Sequence, residues 1–377
     1  MLNCTNQLMS SVQTCEPPIS SVFLELTSRC NMNCSFCPIG VLKRKKQDMA
    51  HENVLKVLDE LKGIPCDITF HTLGEPFLNP RFDEYLTICD QNDIHYWITT
   101  NGLLLTASKQ QQLFRHKNLR LVEISLHTIS DRSMSLRGVN ISFAEYLKKI
   151  KNIVFSKERF ENNIQIRLDV MYDLHLFYDK LWKGFSAEEW GAFQDVMEKW
   201  REELEQMYPE ARERYANFYN GRKKIFSRGD HYLYRRREDI PNDLFHSLPE
   251  HITWLNWEVF PNFFVTLKKF FIFTPDAEYL QQSFGGECKI NITPAYDFSC
   301  TFAHSLVILS NGDITFCCLD YEGVLSCGNI ADMTLTEAVQ SKNRRVVLSK
   351  PDSFEYCRNC KGKLEITSCT KETNNEK

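Results

Sequence analysis

The chain has 377 residues, a formal net charge of -4 and 43% hydrophobic residues, enough for one large domain, a smaller one and a sizeable core. The near balance of charge gives no bias toward nucleic acid or an anionic membrane surface. No stretch reaches the roughly 18 uninterrupted apolar residues of a spanning helix, and residues 1–20 lack a signal-peptide pattern, so a soluble cytoplasmic protein is expected.

Past this tail, residues 22–27 form a short apolar, β-branched run that predicts a strand, followed by a cysteine-rich loop. Val54, Leu55, Leu58 and Leu61 recur at helical spacing and stop at Gly63. Strands are then expected over residues 66–71, 94–99, 121–126 and 164–171, and helices over 82–91, 106–115 and 143–155. Repeated βα units imply a parallel sheet, barrel or open, with ligands at the carboxyl ends of its strands. Residues 176–250 break the rhythm: a long charged segment holding Trp182, Trp190 and Trp200 reads as a helical insertion, with basic groups at residues 222–224 and 235–237. An aromatic stripe at helical spacing is read as packing. The insertion is expected to cap or flank the barrel mouth, its basic ends meeting an anionic substrate group. A sixth strand is expected near residues 252–259. Residues 306–309, the Asn311-Gly312 turn and residues 313–317 predict a hairpin, and residues 334–345 one helix.

The 15 Cys are uneven, with none between Cys89 and Cys288. In a reducing compartment such clusters point to metal binding rather than disulfides. Cys66 and Cys89 read as small buried hydrophobes. Cys30, Cys34 and Cys37 follow directly on the first expected strand. Three thiolates this close can hold three corners of a cubane cluster and leave one iron open, as substrate ligation requires. Zinc is the alternative, which the x3/x2 spacing fits poorly.

This Cys30-x3-Cys34-x2-Cys37 loop resembles the radical S-adenosylmethionine (SAM) superfamily. Gly74-Glu75-Pro76 resembles its motif for the methionine amino group, and Thr99-Thr100-Asn101-Gly102 its cofactor-lining segment. Ser125-Leu126-His127 with Arg137-Gly138 resembles its "SLD…RG" pattern. There Ser125 and Arg137 would hold the ribose and the methionine carboxylate; His127 stands where the family usually has Asp. The resemblance implies an α/β fold, a partial (β/α)6 barrel of radical SAM type, over residues 21–265. It also implies a four-iron (4Fe-4S) cluster that binds SAM. Reductive cleavage of SAM then gives a 5'-deoxyadenosyl radical. An external electron donor such as flavodoxin or ferredoxin is implied as a partner.

The tail, Cys300-x11-Gly312-x4-Cys317-Cys318 and then Cys357-x2-Cys360, resembles the auxiliary-cluster domain appended to many of these enzymes, in a twitch-like or abbreviated SPASM form. That places a small C-terminal domain over residues 285–377. Position 366 is Ile where the full pattern has Cys, so one auxiliary 4Fe-4S cluster is expected. Cys300, Cys317, Cys357 and Cys360 are its implied ligands. Cys318 competes with Cys317 for one position, a zinc ribbon is the alternative, and Cys288, Cys327 and Cys369 are spare. The expected function is an oxidoreductase abstracting hydrogen from a small polar substrate such as a sugar or aminocyclitol, with the auxiliary cluster taking the electron. Alternatives are a ribosomal-peptide-modifying enzyme, a radical epimerase, or a non-enzymatic zinc or iron–sulfur protein.

Overall fold

A computed structural model describes residues 19, 21–160, 162–173, 186–208, 231–240, 254–269, 288–298, 300 and 305–369. Most of the N-terminal tail, Trp182 and the basic residues 222–224 lie outside them. The chain divides into two units: Met1–Thr100, His116–Arg120 and Ile272–Lys371, and Asn101–Arg115, Leu121–Phe271 and Glu372–Lys377.

The first unit is built on strands β1 (Ser21–Leu24), β2 (Asp67–Phe70) and β3 (Tyr96–Thr100), with helices α1 (His51–Glu60) and α2 (Phe82–Gln91) between them. The three strands pair in parallel in that order. Parallel strands need a crossover, which the helices provide. Val54, Val57 and Leu58 give α1 its buried stripe, and Phe70 packs edge-on against Phe82 and Tyr96.

The C-terminal hairpin joins this same sheet. Strand β10 (Ser305–Ile308) runs parallel to β1, pairing Ser21 with Ser305 and Leu24 with Ile308. It turns back through Gly312 into β11 (Asp313–Thr315), and β12 (Gly328–Asn329) follows in antiparallel register. The helix expected over residues 334–345 is two, α7 (Leu335–Val339) and α8 (Lys342–Ser349). The chain breaks at Gln340–Ser341 because the Ser341 hydroxyl accepts the Arg344 amide and starts a new helix. Helix α9 (Glu355–Cys360) follows, and β9 (Cys288–Thr293) pairs antiparallel with β13 (Lys363–Cys369), setting Cys288 opposite Cys369 in register.

The second unit has strand order β4–β5–β8–β7–β6, from β4 (Leu119–His127, its first two residues in the first unit), β5 (Gln165–Asp173), β6 (His231–Tyr234), β7 (Trp254–Phe260) and β8 (Phe263–Lys269). Helices α3 (Ala107–Leu113), α4 (Asp131–Met134), α5 (Phe143–Glu158) and α6 (Ala187–Met207) complete it. The sixth parallel strand is not the one expected. Residues 254–260 form the antiparallel arm of a hairpin, and β8 is the parallel partner of β5. Both runs are apolar and β-branched, and the tight return at Asn262, with φ +66°, makes one strand of the expected pattern into two. The insertion is not wholly helical either, since β6 lies within it.

The described helix of the insertion is a layer on the sheet. Trp190, Phe193, Met197, Trp200 and Leu204 make one buried stripe on α6. Trp190 lies 6.5 Å edge-on from Trp257 of β7, and Trp200 lies 6.2 Å from Phe263 of β8. The aromatic stripe is therefore packing, as expected. Arg235 pairs with Glu258 at 3.1 Å and Arg237 with Asp195, so these basic groups are already matched by the unit's own acids.

Candidate functional site

In the first unit, the cysteine loop starts at Cys30, six residues beyond the end of β1 at Leu24. The backbone before it is fixed on both sides: Ser28 donates its amide to the Gln47 carbonyl, and Met49 donates to Leu26. Met32 and Phe36 are buried and anchor the loop, while Cys30, Cys34 and Cys37 are half-exposed. The Cys37 amide bonds the Cys34 carbonyl at 3.0 Å and the Met32 amide bonds Cys30 Sγ at 3.4 Å. Apolar anchors at the intervening positions thus leave the three thiols presented together on one short loop.

The Gly74-Glu75-Pro76 turn docks on this loop. Gly74 has φ +77°, and a Cβ there would fall 2.1 Å from the Thr27 carbonyl oxygen and 2.9 Å from that of Arg29. Only glycine permits the approach. The next amide, of Glu75, donates to the Arg29 carbonyl at 2.8 Å. The Glu75 carboxylate is buried, and its Oε1 accepts from Thr100 Oγ1 at 2.8 Å and from the Phe77 amide at 3.3 Å. Two motifs 25 residues apart in sequence therefore meet side chain to side chain. A buried carboxylate held by neutral donors fits an ammonium group.

In the second unit, Asn101 Oδ1 accepts the Leu103 amide, and the Asn101 carbonyl accepts from the Tyr146 hydroxyl at 2.7 Å. The Ser125 carbonyl accepts from Arg137 Nη2 at 2.6 Å and from Tyr146 at 3.4 Å. Arg137 is buried, and its Nη1 lies 2.8 Å from His127 Nδ1. Arginine only donates, so Nδ1 is the acceptor and the proton of the neutral ring sits on Nε2. His127 stands at an irregularity in the β4–β5 register and has φ +60°. An Asp here would meet the same guanidinium with charge. His127 and Tyr146 were not assigned a role from sequence; only the departure from the family's Asp marked the first, and nothing marked the second.

The tail thiols gather in the first unit. Cys317 and Cys318 are both pushed above the ordinary thiol range by burial, Cys318 to about 12, and both lie in the electrostatic reach of Cys300 and Cys360. Burial, then Cys300 and Cys360, push Cys357 up to about 12. Cys357 and Cys360 sit at i and i+3 on α9, one face of the helix. Buried thiolates that disfavour one another are a donor set that iron stabilises, because a bound cation holds the thiol deprotonated. Among the described residues no group of three His, Cys, Asp or Glu is drawn tightly enough together to hold a single metal ion. Between Cys317 and Cys318 the structure makes no choice. Cys327 is a different case, shifted up by burial and hydrogen-bonded to Ser341. Cys66 and Cys89 behave as small hydrophobes: burial lifts them to about 11 and about 12, and Cys66 lines an apolar pocket with Val22, Leu61 and Leu306.

Next to the tail thiols, Asp320 is buried and accepts from Thr315 Oγ1 and from the amides of Val324 and Leu325. Tyr321 and Glu322 then reach back toward the first loop. Arg44 donates to both oxygens of Glu25 at 2.6 and 2.7 Å, to Ser310 Oγ at 2.8 Å and to the Tyr321 carbonyl at 2.5 Å. Glu322 accepts the amides of Lys43 and Arg44.

Thiol loops at the end of a parallel strand and again behind a hairpin mark an iron–sulfur protein of α/β class. Residues 24–162 match the radical SAM superfamily, and residues 300–361 match an iron–sulfur cluster-binding domain, SPASM. Residues 24–162 thus carry a radical SAM domain and residues 300–361 a SPASM domain. With these domains come a 4Fe-4S cluster, SAM and auxiliary iron–sulfur binding.

A tungsten-containing aldehyde ferredoxin oxidoreductase cofactor-modifying protein of Pyrococcus furiosus is 30% identical over 139 residues, 36% of this chain and 39% of the relative. The antilisterial bacteriocin subtilosin biosynthesis protein AlbA of Bacillus subtilis is 32% identical over 138 residues, 36% of this chain and 30% of the relative. The chain thus spans well under half the length of these curated relatives. The crystal structure of BtrN in complex with AdoMet and 2-DOIA is 13% identical, with a TM-score of 0.47 over 95% of this chain and 97% of that one. No described helix is long and apolar enough to cross a membrane.

Proposed function

We propose that this chain is a radical SAM oxidoreductase that removes hydrogen from a small polar substrate. In this reading Cys30, Cys34 and Cys37 hold the cluster that binds SAM. Gly74, Glu75, Pro76, Thr100 and Asn101 are the proposed cofactor-binding residues, Glu75 receiving the amino group, and Ser125 and Arg137 orient its ribose and carboxylate. Cys300, Cys317, Cys357 and Cys360 hold the auxiliary cluster. When bound, the reduced cluster and SAM supply a carbon radical that abstracts a hydrogen atom. The cluster held by Cys300, Cys317, Cys357 and Cys360 would supply an acceptor for the electron that the substrate loses together with a proton, and flavodoxin or ferredoxin would be the external donor.

The observation that carries this reading is the docking of Gly74-Glu75 on the backbone entering Cys30. A thiol loop and a buried carboxylate locked together by a glycine contact have no need of one another in a zinc knuckle. They suit a cluster that those thiols would hold beside a carboxylate able to receive the ammonium of a bound cofactor. A peptide substrate is the second reading, supported by the likeness to a bacteriocin biosynthesis protein.

Anaerobically purified protein should hold about eight iron per chain, as two four-iron clusters, and should release 5'-deoxyadenosine from SAM with dithionite. Changing Cys30, Cys34 and Cys37 together to Ala should halve the iron and abolish release. Changing Cys357 and Cys360 to Ala should also halve the iron but spare release while blocking substrate oxidation. A Cys30/Cys34/Cys37 variant with full iron would overturn the assignment.

A further inference from the structure

In the first unit, the segments that follow the two thiol loops meet at one short stretch. Residues 41–46 begin four residues after Cys37 and read Val-Leu-Lys-Arg-Lys-Lys. The chain beyond Cys317 reaches them from the other side. Glu322 accepts the amide of Lys43 at 2.8 Å and that of Arg44 at 3.2 Å, and the Tyr321 carbonyl accepts from Arg44 Nε. Arg44 is turned inward, its side chain 7% exposed against the buried Glu25. Gln47 ties down the far end: its amide donates to Ser28 Oγ at 2.9 Å and its Nε2 to the Ser310 carbonyl at 3.3 Å. Bonds from backbone and side chains therefore fix the stretch along its length.

What this frame presents outward is basic. Lys43, Lys45 and Lys46 are exposed, and among the described residues none of their ammonium groups has an ion pair or a hydrogen bond. On and beneath the stretch, Arg29, Lys43, Arg44, Lys45 and Lys46 stand against Glu25, Asp48 and Glu322, a local surplus of two positive charges in a chain of net charge -4. Arg235 and Arg237 of the second unit differ, since each has its own acid. An exposed apolar residue stands on each arm of the junction: Val41, 36% exposed, and Val324, 62% exposed and two residues past Glu322. Val324 is held in place, because its amide donates to the buried Asp320 carboxylate at 2.8 Å.

Folding does not call for this arrangement, since three lysines within four positions repel one another. A charge run on a loose loop would be an ordinary solvated face; here the backbone beneath it is bonded in place. An exposed cationic patch attracts an anionic partner from a distance and raises the rate of encounter. Nucleic acid fits poorly. No exposed aromatic ring stands among these residues to stack a base, and a surplus of two charges is small for gripping a phosphate backbone. A few lysines around two valines suit a brief encounter between proteins, for which a small interface is enough.

We infer that this surface, formed by Val41, Lys43, Lys45, Lys46 and Val324, is the docking site of an acidic one-electron carrier protein. The inference rests on the proposed oxidoreductase reading and names where its external donor binds. Such a donor must approach a thiol site, leave after one transfer and return. Its docking site therefore needs fast association, weak binding and a short way inward. The lysines supply attraction and the two valines a small apolar contact. The way inward is short along the chain, six residues from Lys43 to Cys37 and seven from Val324 to Cys317. The donor is oxidised by one electron, and the cluster proposed at Cys30, Cys34 and Cys37 is the group reduced; no bond is made or broken and no proton moves.

The test uses the full chain, loaded anaerobically with iron, in titration calorimetry at low salt. The probes are flavodoxin, a 2Fe-2S ferredoxin and parvalbumin, an acidic protein with no redox group. Flavodoxin or ferredoxin should bind the wild type, and the affinity should fall as salt rises. Lys45→Glu with Lys46→Glu should weaken that binding at least about tenfold, because like charges then face one another, and the difference should narrow at high salt. Val324→Ser should weaken binding without changing its salt dependence. Lys148→Glu, at an exposed lysine of α5, controls for net charge and should leave binding unchanged. The double reversal should keep SAM cleavage driven by dithionite and lose most of that driven by the reduced carrier. The inference fails if neither redox protein binds the wild type, or if parvalbumin binds as tightly as they do. It also fails if Lys148→Glu weakens binding as much as the double reversal, or if the double reversal or Val324→Ser leaves binding unchanged. Dithionite-driven cleavage by the wild type is read separately, because a small reductant needs no docking site. Its absence defeats the oxidoreductase reading, while cleavage without carrier binding defeats only this inference.

Discussion

At the scale of single residues, the sharpest constraint is Gly74. Its positive φ would cost a side chain about 1–3 kcal/mol, and the Thr27 carbonyl oxygen occupies the place of a Cβ. Gly74→Ala must push the Glu75 turn away from the loop that leads into Cys30. The expected result is a marked loss of iron from the first site and of SAM cleavage, with tail iron retained, measured by iron analysis against a Cys357/Cys360 variant. His127 teaches the complementary lesson. Its neutral ring nitrogen accepts from Arg137 where a carboxylate would otherwise serve, so the substitution keeps an acceptor and gives up a charge. Two pairs of the cofactor-site residues expected from sequence bond to one another: Glu75 with Thr100, and Arg137 with Ser125.

At the scale of elements, helix starts are well marked. Helix α5 opens on a capping box in which the Ser142 hydroxyl accepts the Glu145 amide and the Glu145 carboxylate accepts the Ser142 amide and hydroxyl. These bonds, the Ser142 hydroxyl first, hold Glu145 below its ordinary value of 4.5. The unfolded chain therefore takes up the proton first as pH falls. The stability contributed by this pair is present above about pH 4.5 and is lost as the pH drops through the lower folded value. Ser142→Ala should lower the melting temperature at pH 7, and the gap from wild type should narrow in acid; an unchanging gap would show that the carboxylate takes no part. Helix α6 likewise follows its sequence, because a stripe of Trp, Phe and Met at helical spacing must be buried against another element, here β7 and β8. The β7–β8 hairpin was not legible, since two adjacent apolar runs do not say which of them runs parallel to β5.

At the scale of the molecule, the first unit is tied together through Arg44. Its side chain is 7% exposed and that of its partner Glu25 is fully buried; it joins the segment after the first thiol loop to Ser310 and Tyr321, more than 260 residues away. Removing one member of such a pair strands the other charge, at a cost of about 3–5 kcal/mol. Arg44→Met should destabilise the anaerobic protein by that amount in denaturant unfolding. Arg44→Met with Glu25→Leu should cost clearly less, because no unmatched charge is left. A double variant as unstable as the single one would remove the pair from this role.

The sequence by itself determined the class of protein, the α/β alternation and the residues around which the chemistry is proposed. Thiols, a glycine-led turn and strand-end motifs act over a few neighbouring positions, so their spacing is readable along the chain. Only the tertiary structure decided that β10 and its hairpin extend the sheet of β1, that Glu75 meets Thr100, and that His127 serves Arg137. Those outcomes depend on strand order and on which side of a pleat each residue lands. Sequence periodicity gives the alternation of faces but not the neighbour across the sheet, and that neighbour is chosen by packing between segments far apart in the chain.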